Sequence, residues 1–304
     1  MRRRPEITRA HDGVDRPALD RLLTAAASAD GTAPLSDHLR LELEHGGRPG
    51  FAALWIPGDG GIIGYAQLAL TNDVHTLELV VDPACRDDPT LARDLLAAAS
   101  DVVADDGGGR LQWWAFDADT ADDELAQAAG LTPKRALHQM QRGLPAGFAV
   151  EVATRPFVPG RDEAAWLTVN NRAFAGHAEQ GGWTIDTLRQ RESEPWFDPA
   201  GFLLHERNGR LAAFCWTKIH ADADPVMGEI YVIAVDPDFH GLGLGRQLTL
   251  AGLASISGRG IGVGMLYVDA ANTVAVTLYE RLGFAVHRTD CAYAVEVPPR
   301  RGPA

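Results

Sequence analysis

Cysteines and long apolar runs are scarce in this sequence of 304 residues. The three cysteines, Cys85, Cys215 and Cys291, lie far apart and include no CxxC pair, which argues against a disulfide framework and a zinc site. No apolar run approaches the roughly 18 residues that a membrane span requires. No apolar core of a signal peptide follows the basic start. We therefore expect a soluble cytoplasmic protein, a monomer, with no membrane partner.

Positive charge is also in short supply. Lysine and arginine together number 28 against 41 acidic residues, which gives a net charge of −13, and Lys134 and Lys218 are the only lysines. Such an acidic chain is poorly suited to wide contact with a phosphate backbone, so nucleic acid is excluded as the main partner. A small anionic ligand is not excluded, because it needs only local donors. The histidines suggest no ligand cluster, and we assign no metal.

What the sequence does contain is a long internal repeat. Leu79–Pro83 and Ile233–Pro237 match at a separation of about 154 positions, and Ala129–Leu131 matches Leu282–Phe284 at about 153. A period of this length indicates duplicated domains rather than a solenoid. We predict an N-terminal domain over residues 1–146 and a C-terminal domain over residues 147–304, because the connecting stretch Gly143–Val152 carries glycine and proline.

Both halves show the same order of predicted elements, in which a hairpin and a further strand precede a helix. In the second half we predict strands and helices at Phe202–Glu206, Arg210–His220, Glu229–Val235, Arg246–Ser257, Gly264–Val268, Thr273–Leu282 and Cys291–Val297. Asn208-Gly209 is a strong turn dipeptide between the first two strands. In the first half, a strand from Gln139 onward closes the domain, and Cys291–Val297 does so in the second.

A glycine-rich turn between a strand and a helix is the first chemical signal. After Asp236-Pro237 the chain reads His240-Gly241-Leu242-Gly243-Leu244-Gly245 and then enters a helix. Glycines let backbone N–H groups converge, and a helix N-terminus favours a pyrophosphate. The turn is not a Walker loop, because no Gly-Lys-Ser/Thr follows, and no alternating strands and helices continue it as a dinucleotide fingerprint.

A second motif makes the first one specific. The stretch from Asn272 to Phe284 has the form N-x-x-A-x-x-x-Y-x-x-x-G-F. With both motifs in this order, the chain resembles the GCN5-related N-acetyltransferase (GNAT) superfamily. The resemblance implies an α+β fold of two tandem GNAT domains, each a mixed, mostly antiparallel sheet flanked by helices, and acetyl-CoA as the acetyl donor.

The resemblance also implies where acetyl-CoA binds. Strand residues Ile233, Ala234 and Val235 would meet the pantetheine arm, the loop from His240 to Arg246 would hold the pyrophosphate, and Asn272 would lie near the pantetheine. The full set of implied cofactor-binding residues is Leu79, Val80, Val81, Ile233, Ala234, Val235, His240, Gly241, Leu242, Gly243, Leu244, Gly245, Arg246, Asn272, Thr273, Val274, Ala275, Val276 and Thr277. The loop begins with histidine where the family usually has glutamine or arginine, which reduces side-chain charge on the phosphates.

Acetyl transfer to an amine sets three chemical tasks. The ammonium must lose a proton, the developing oxyanion must be stabilised, and the departing thiolate must gain a proton. We assign the first task to Glu229 as general base, the second to a strand N–H near Val235, and the third to Tyr279 as general acid. Glu229 can alternatively be a solvated carboxylate at a strand end, and Tyr279 a packed aromatic.

The first half lacks these groups. The repeat offset places His75 opposite Glu229 and Ala126 opposite Tyr279. Its loop carries Asp87 and Asp88, which would repel a pyrophosphate, and Pro89, which removes a backbone donor. We expect the N-terminal domain to be non-catalytic, to bind acetyl-CoA poorly or not at all, and to shape the substrate cleft.

A more specific resemblance covers nearly the whole chain. Val169–Thr184, Trp196–Pro199, Trp216–His220 and Gly228–Val232 are similar to the mycothiol synthase family, as is Asp30–Pro34 followed by Asp37. That family acetylates the cysteinyl amine of a cysteinyl-glucosaminyl-inositol. The implied substrate-binding residues are Asp37, Glu179, Lys218, Glu229 and Tyr267.

Each substrate-binding assignment has a structural alternative. Glu179 can be a solvated loop residue, Lys218 a surface charge, Tyr267 a core aromatic and Asp37 a helix cap. Two other functions also remain open. One is acetylation of a different amine, such as a peptide N-terminus or an aminoglycoside, and the other is a non-catalytic acyl-CoA-binding module.

Overall fold

The computed structural model describes residues 4–45, 49–176, 180–221 and 223–300. The chain divides into an N-terminal unit, Met1–Leu137 with Thr289–Ala304, and a C-terminal unit, His138–Arg288. Each unit combines a mixed sheet with flanking helices, so the predicted α+β class is confirmed. No helix in the described ranges is long and apolar enough to cross a membrane.

The N-terminal unit builds its sheet around one parallel pair of strands. Its elements are β1 (Glu6–Thr8), α1 (Arg16–Asp30), α2 (Asp37–His45), β2 (Ala52–Gly58), β3 (Gly61–Thr71), β4 (Val74–Val81), α3 (Thr90–Asp105), β5 (Gly109–Ala115) and α4 (Thr120–Ala128). Strands β1 to β4 are antiparallel neighbours, and β4 runs parallel to β5. The parallel pair follows from the crossover through α3, since a hairpin cannot join parallel strands.

The C-terminal unit repeats this plan. Its elements are β7 (Arg155–Pro156), α5 (Glu163–Ala173), α6 (Ile185–Glu192), β8 (Phe202–Arg207), β9 (Arg210–His220), β10 (Met227–Val235), α7 (Leu244–Ser257), β11 (Val263–Asp269) and α8 (Thr273–Arg281). Strands β7 to β10 are antiparallel, and β10 runs parallel to β11. The turn between β8 and β9 places Asn208 and Gly209 at positive φ, which a tight hairpin of this type requires.

Two strands exchange places relative to the predicted domains. The strand β6 (Thr132–Gly143) enters the C-terminal unit at His138, and β12 (Ala285–Val297) enters the N-terminal unit at Thr289. In the N-terminal unit, β12 pairs antiparallel with β5 from Cys291 to Val297. The prediction that each half closes with its own last strand is therefore wrong, and the units are not the contiguous ranges 1–146 and 147–304.

The exchanged strand is integrated into the core of the N-terminal unit. The ring of Tyr293 stacks on Trp113 with 5.3 Å between centroids, and its hydroxyl donates to Asp123 at 2.8 Å. Tyr293 belongs to the same buried cluster as Leu95 of α3. Removing this strand would expose that cluster to water, so β12 is part of the folding unit rather than an appended tail.

The sheet of the C-terminal unit has a different core on each face. One face packs against α7 through a cluster that includes Cys215, Ile230 and Leu248. The other face carries an aromatic cluster around Trp166 and Trp216. Alternation along the strands assigns each residue of β9 and β10 to one face or the other, which determines which side chains can meet at a site.

Candidate active site

The parallel pairing of β10 with β11 stops before either strand ends. It joins Met227–Ile230 to Val263–Leu266, although β10 continues to Val235. The pairing of β10 with β9 shifts register between Ile230 and Val232, which marks a β-bulge at the same point. Backbone groups of β10 beyond this point no longer pair with β11 within this fully described stretch. An extended molecule that carries amides can pair with such groups.

The glycine-rich loop leads from β10 into α7. Asp236 is buried, and its side chain accepts the N–H of Asp238 at 2.9 Å in a short 3₁₀ turn. His240 then contacts the carbonyl oxygen of Val235 through Nε2 at 3.1 Å. This contact links the start of the glycine-rich loop to the C-terminal end of β10.

Two glycines of this loop have a left-handed backbone. Gly241 has φ +78° and Gly243 has φ +71°, and no atom lies within 4 Å of the Cβ that either could carry. These positions therefore require glycine for its conformation, and space is not limiting. Gly243 is the N-cap of α7, and no side chain caps that helix. The first N–H groups of α7 therefore remain available to an anion.

Arg246 lies in the first turn of α7, where its guanidinium carbon is 5.4 Å from the ring centroid of Phe148. It is the one arginine of the predicted loop, and it is exposed. A cation at this place supports the affinity of the helix N-terminus for an anion.

Helix α8 places the other two motif residues. The side chain of Asn272 accepts the N–H of Ala275 at 3.1 Å, so Asn272 is the N-cap of α8. Tyr279 is buried, and its ring meets Phe284 edge-on at 5.8 Å. Burial raises the pKa of Tyr279 to about 12, and the nearby Cys215 adds to the shift. The phenol therefore keeps its proton at neutral pH and can donate it.

Glu229 lies on the face of the sheet opposite α7. Its neighbour Gly228 touches α7 so closely that an added Cβ would lie 2.2 Å from Ile256, so alternation turns Glu229 the other way. Glu229 is 6% exposed, and its Oε2 lies 2.7 Å from Nε2 of His220. Lys218 stands directly opposite Glu229 in the antiparallel register. A carboxylate, an imidazole and an ammonium thus share one face of two adjacent strands.

Lys218 is held among aromatic rings. Its Nζ lies 4.8 Å from the ring centroid of Trp196 and 5.6 Å from that of Tyr231, and the residue is 8% exposed. Such distances are typical of cation–π contacts. Lys218 is therefore not the solvated surface charge that one interpretation of the sequence allowed.

Tyr267 lies on the same face as Glu229. Met265 aligns with Glu229 in the parallel ladder, and Tyr267 follows two residues later. The phenolic oxygen of Tyr267 accepts hydrogen bonds from Gln139 Nε2 at 2.8 Å and from Arg288 Nη2 at 2.9 Å. The hydroxyl is thus fixed in place by two donors, and Tyr267 is not simply a packed core aromatic.

The other two predicted substrate residues are placed differently. Asp37 is the first residue of α2 and belongs to the N-terminal unit. Glu179 lies outside the described residues. The structure thus brings together Lys218, Glu229 and Tyr267 of the predicted set on one face of the C-terminal sheet.

Sequence reasoning did not identify the partners of these residues. The missed contacts come from Gln139, Trp196, His220, Tyr231 and Arg288. For His220 a signal existed, because it follows Lys218 by two positions on one strand and therefore shares its face. Gln139 and Arg288 could not be found this way, since they come from strands whose placement was predicted wrongly or not at all.

The N-terminal unit lacks the open helix terminus. The carboxylate of Asp88 accepts the backbone N–H of Thr90 at 3.0 Å and its hydroxyl at 2.6 Å, and Pro89 stands at the N-cap of α3. Leu79, Val80 and Val81 do continue β4 beyond its last pair with β5, which is Glu78 with Trp114. β4 thus continues past its pairing with β5, as β10 does past β11, while an acidic side chain occupies the helix terminus.

The repeat offset also misplaces the counterpart of Glu229. His75 shares its face of β4 with Leu77, which packs with Leu95 of α3. Glu229 faces away from α7, the helix that corresponds to α3. The pairing of β4 with β3 is continuous, whereas the pairing of β10 with β9 contains a bulge. A bulge inserts one residue into a strand, so the side chains before it point to the opposite face from the one that the repeat offset predicts. His75 is therefore not the structural counterpart of Glu229.

The parallel strands β10 and β11 stop pairing beside a glycine-rich loop and the uncapped start of α7. This arrangement is the architecture of a GNAT acyltransferase. The model of the acetyltransferase (GNAT) family matches residues 168–284. Two solved structures share the fold across most of the chain. A GCN5-related N-acetyltransferase from Sphaerobacter thermophilus has a TM-score of 0.70 at 23% identity, with 94% of each chain covered. A tandem GNAT protein from the clavulanic acid biosynthesis pathway has a TM-score of 0.69 at 17% identity, with 99% of each covered.

Sequence relatives define the family more narrowly. The mycothiol acetyltransferase of Thermobispora bispora is 48% identical, with 92% of this chain and 95% of the relative covered. The mycothiol acetyltransferase of Streptomyces coelicolor is 46% identical, with 90% of each covered. The chain therefore belongs to the mycothiol acetyltransferase family. The predicted class of enzyme, an acetyl-CoA-dependent N-acetyltransferase with tandem GNAT domains, is confirmed.

Proposed function

We propose that this chain acetylates the cysteinyl amine of cysteinyl-glucosaminyl-inositol and so makes mycothiol. The name shared by its relatives supports this acceptor. The observation that carries the proposal is the position of Glu229. Its buried carboxylate lies one residue before the ladder between β10 and β11 ends, so a base stands beside the place where an extended donor can enter.

The C-terminal unit fits acetyl-CoA in three places. The part of β10 that pairs with β9 but not with β11, residues Ile233–Val235, offers backbone groups to the amides of the pantetheine. The loop His240–Arg246 and the uncapped start of α7 offer N–H groups and one guanidinium to the pyrophosphate. The first turn of α8, residues Asn272–Thr277, borders the same region in the family. Acetyl-CoA supplies an acetyl group activated as a thioester.

The residues of this chain then move two protons. Glu229 takes a proton from the substrate ammonium, which frees the nitrogen lone pair to form the new C–N bond. A backbone N–H near Val235 stabilises the oxyanion while the C–S bond breaks. Tyr279 donates its phenolic proton to the departing thiolate. The nitrogen that has formed the C–N bond releases its second proton to solvent, Tyr279 regains a proton from solvent, and Glu229 returns its proton to solvent. The products are therefore the amide, free CoA and one net proton.

The polar face around Glu229 suits a hydroxyl-rich acceptor. Lys218 can donate several hydrogen bonds, and Tyr267 presents a phenol whose position two donors hold. Asp37 and Glu179 stay predictions from the family resemblance. A lysine whose ammonium lies over aromatic rings is positioned before the substrate arrives, which lowers the cost of ordering it on binding.

The N-terminal unit, in this proposal, does not catalyse. The carboxylate Oε2 of Glu78 accepts the N–H of Ser36 at 2.7 Å, so this buried acid is bonded to the entry of α2. Ala126 of α4 stands where α8 has Tyr279, and Asp88 occupies the start of α3. The missing acid and the acidic loop together support a single catalytic centre per chain.

The substrate assignment is tested by an acetyl-transfer assay on a panel of small amines. We expect release of free CoA with cysteinyl-glucosaminyl-inositol and at least tenfold lower kcat/KM with glucosaminyl-inositol, a peptide N-terminus or an aminoglycoside. A tenfold ratio corresponds to about 1.4 kcal/mol of differential binding in the transition state. Turnover of another panel amine without turnover of the first would remove the acceptor and leave the enzyme class. No turnover with any amine would favour an acyl-CoA-binding module.

The glycine loop gives a second prediction. Replacing Gly243 by Ala puts a Cβ on a residue at φ +71° and should raise the KM for acetyl-CoA about tenfold, or about 1.4 kcal/mol of lost binding. Gly260→Ala is the matched control, because Gly260 has φ +78° and equally open surroundings. Both variants should lose about 1–2 kcal/mol of stability, because an L-residue is strained in the left-handed region. An equal KM in the two variants would contradict a role for this loop in donor binding.

A further inference from the structure

The side chain of His220 is tied to the proposed base. His220 is the last residue of β9, and its Nε2 lies 2.7 Å from Oε2 of Glu229. The side chain of Glu229 is 8% exposed, whereas that of His220 is 30% exposed. An ionised carboxylate can only accept hydrogen bonds, so Nε2 carries the proton in this contact whenever Glu229 is charged.

We propose that His220 is a positioning residue for Glu229. The inference rests on the proposed function, in which Glu229 is the general base. By donating to Oε2, His220 fixes the rotation of the carboxylate and leaves Oε1 as the atom that receives the proton of the amine. A base must lie within hydrogen-bond reach of the proton it removes, and small errors of orientation reduce the rate.

The contact between His220 and Glu229 is compatible with the aromatic contacts of Lys218. Lys218 is directly opposite Glu229, and its ammonium lies over the rings of Trp196 and Tyr231. His220 approaches from two residues further along β9, opposite Met227 in the register. His220 can thus contact the carboxylate without taking Lys218 away from its aromatic contacts.

The test compares two substitutions of His220. His220→Gln keeps an N–H donor near the place of Nε2, whereas His220→Leu removes the donor and keeps an apolar side chain. We expect His220→Leu to lower kcat/KM for the amine about 10- to 100-fold, the range for losing a hydrogen bond to a charged group. His220→Gln should stay within about threefold of the wild type, and the KM for acetyl-CoA should change in neither variant.

A double-mutant cycle with Glu229→Gln shows whether His220 acts through the base. In the Glu229→Gln background, His220→Leu should cost less than about twofold, since there is no longer a base to orient. His205→Leu is the control, because His205 is a strand histidine of the same unit that contacts the carbonyl oxygen of Ala153. Circular dichroism and the Tm of each variant report whether it is folded.

The outcomes separate this inference from the proposed function. The inference is overturned if His220→Leu leaves kcat/KM unchanged, if His220→Gln is as damaging as His220→Leu, or if the loss persists in the Glu229→Gln background. If Glu229→Gln itself retains full activity, the proposed base is wrong, and the failure lies with the proposed function.

Discussion

Glu229→Gln should lower kcat at neutral pH by at least about 100-fold, the lower end of the usual contribution of a general base. The amide is nearly isosteric with the carboxylate and can still meet His220, but it cannot accept a proton from the substrate. The substrate amine is mostly an ammonium at low pH, and only the free amine attacks. The loss should therefore be largest at low pH and should shrink as pH rises and the free amine becomes abundant.

The measurement is the initial rate of CoA release between pH 6 and 9 in wild type and variant. Glu206→Gln is the matched control, since Glu206 is an exposed carboxylate of the same unit that pairs with Arg155. It should leave the rate within about twofold, as expected for a surface ion pair. A Glu229→Gln variant whose pH–rate profile parallels that of the wild type would show that another group removes the proton.

The same variant also tests whether the chain has one catalytic centre. If the N-terminal unit acetylated amines on its own, the Glu229→Gln enzyme would retain a second activity. The rate of that activity would level off with pH once its own base was ionised, whereas a rate without any base follows the fraction of free amine. Glu78 is bonded to Ser36, and Asp88 is bonded to Thr90. The residual rate of Glu229→Gln should consequently rise with pH without reaching a plateau set by a second base.

Local sequence patterns predict several backbone conformations near the candidate site. The glycine-rich turn before α7 and the hairpin at Asn208-Gly209 are conformations that short stretches determine by themselves. Lys218 and Glu229 fall on neighbouring strands for the same reason, because the Asn-Gly turn and the strand pattern locate β9 and β10. In the structure, the antiparallel register of β9 and β10 places Lys218 opposite Glu229.

Non-local pairing was not predictable in this way. β6 and β12 are both strands that follow a short helix ending at glycine, and nothing in their own residues selects a partner. The difference is made by contacts distant in sequence, such as the stacking of Tyr293 on Trp113. An incorrect placement of these two strands also hides part of the site. The side chains that donate hydrogen bonds to the Tyr267 hydroxyl are Gln139 on β6 and Arg288 on β12.

The bulge in β10 is the second feature that could not be predicted from the internal repeat. Two strands with matching ends differ by one residue in their pairing, so counting back 154 positions from Glu229 reaches His75 on the wrong face of its sheet. Among the groups on the corresponding face of β4 is Glu78, whose carboxylate bonds to Ser36. The N-terminal copy has therefore kept an acid at this face in a structural role, which a position-by-position comparison misses.

Tyr279→Phe should lower kcat about 100-fold while the KM for acetyl-CoA changes little, because only the proton for the departing thiolate is lost. The phenyl ring keeps the edge-on contact with Phe284, so the fold should be preserved. Tyr293→Phe is the control, since Tyr293 is a buried tyrosine whose hydroxyl binds Asp123 in the N-terminal unit. That variant should lose stability without losing turnover.

The pH dependence distinguishes the acid from the base. Burial raises the pKa of Tyr279 to about 12, so the phenol is protonated throughout an assay range of pH 6 to 9. It begins to lose the proton only as pH approaches 12. The ratio of wild-type to Tyr279→Phe rates should therefore be constant across that range, whereas the ratio for Glu229→Gln falls as pH rises. A Tyr279 ratio that changed between pH 7 and 9 would mean that the phenol titrates during catalysis, and an acid kept neutral by burial would then be the wrong description.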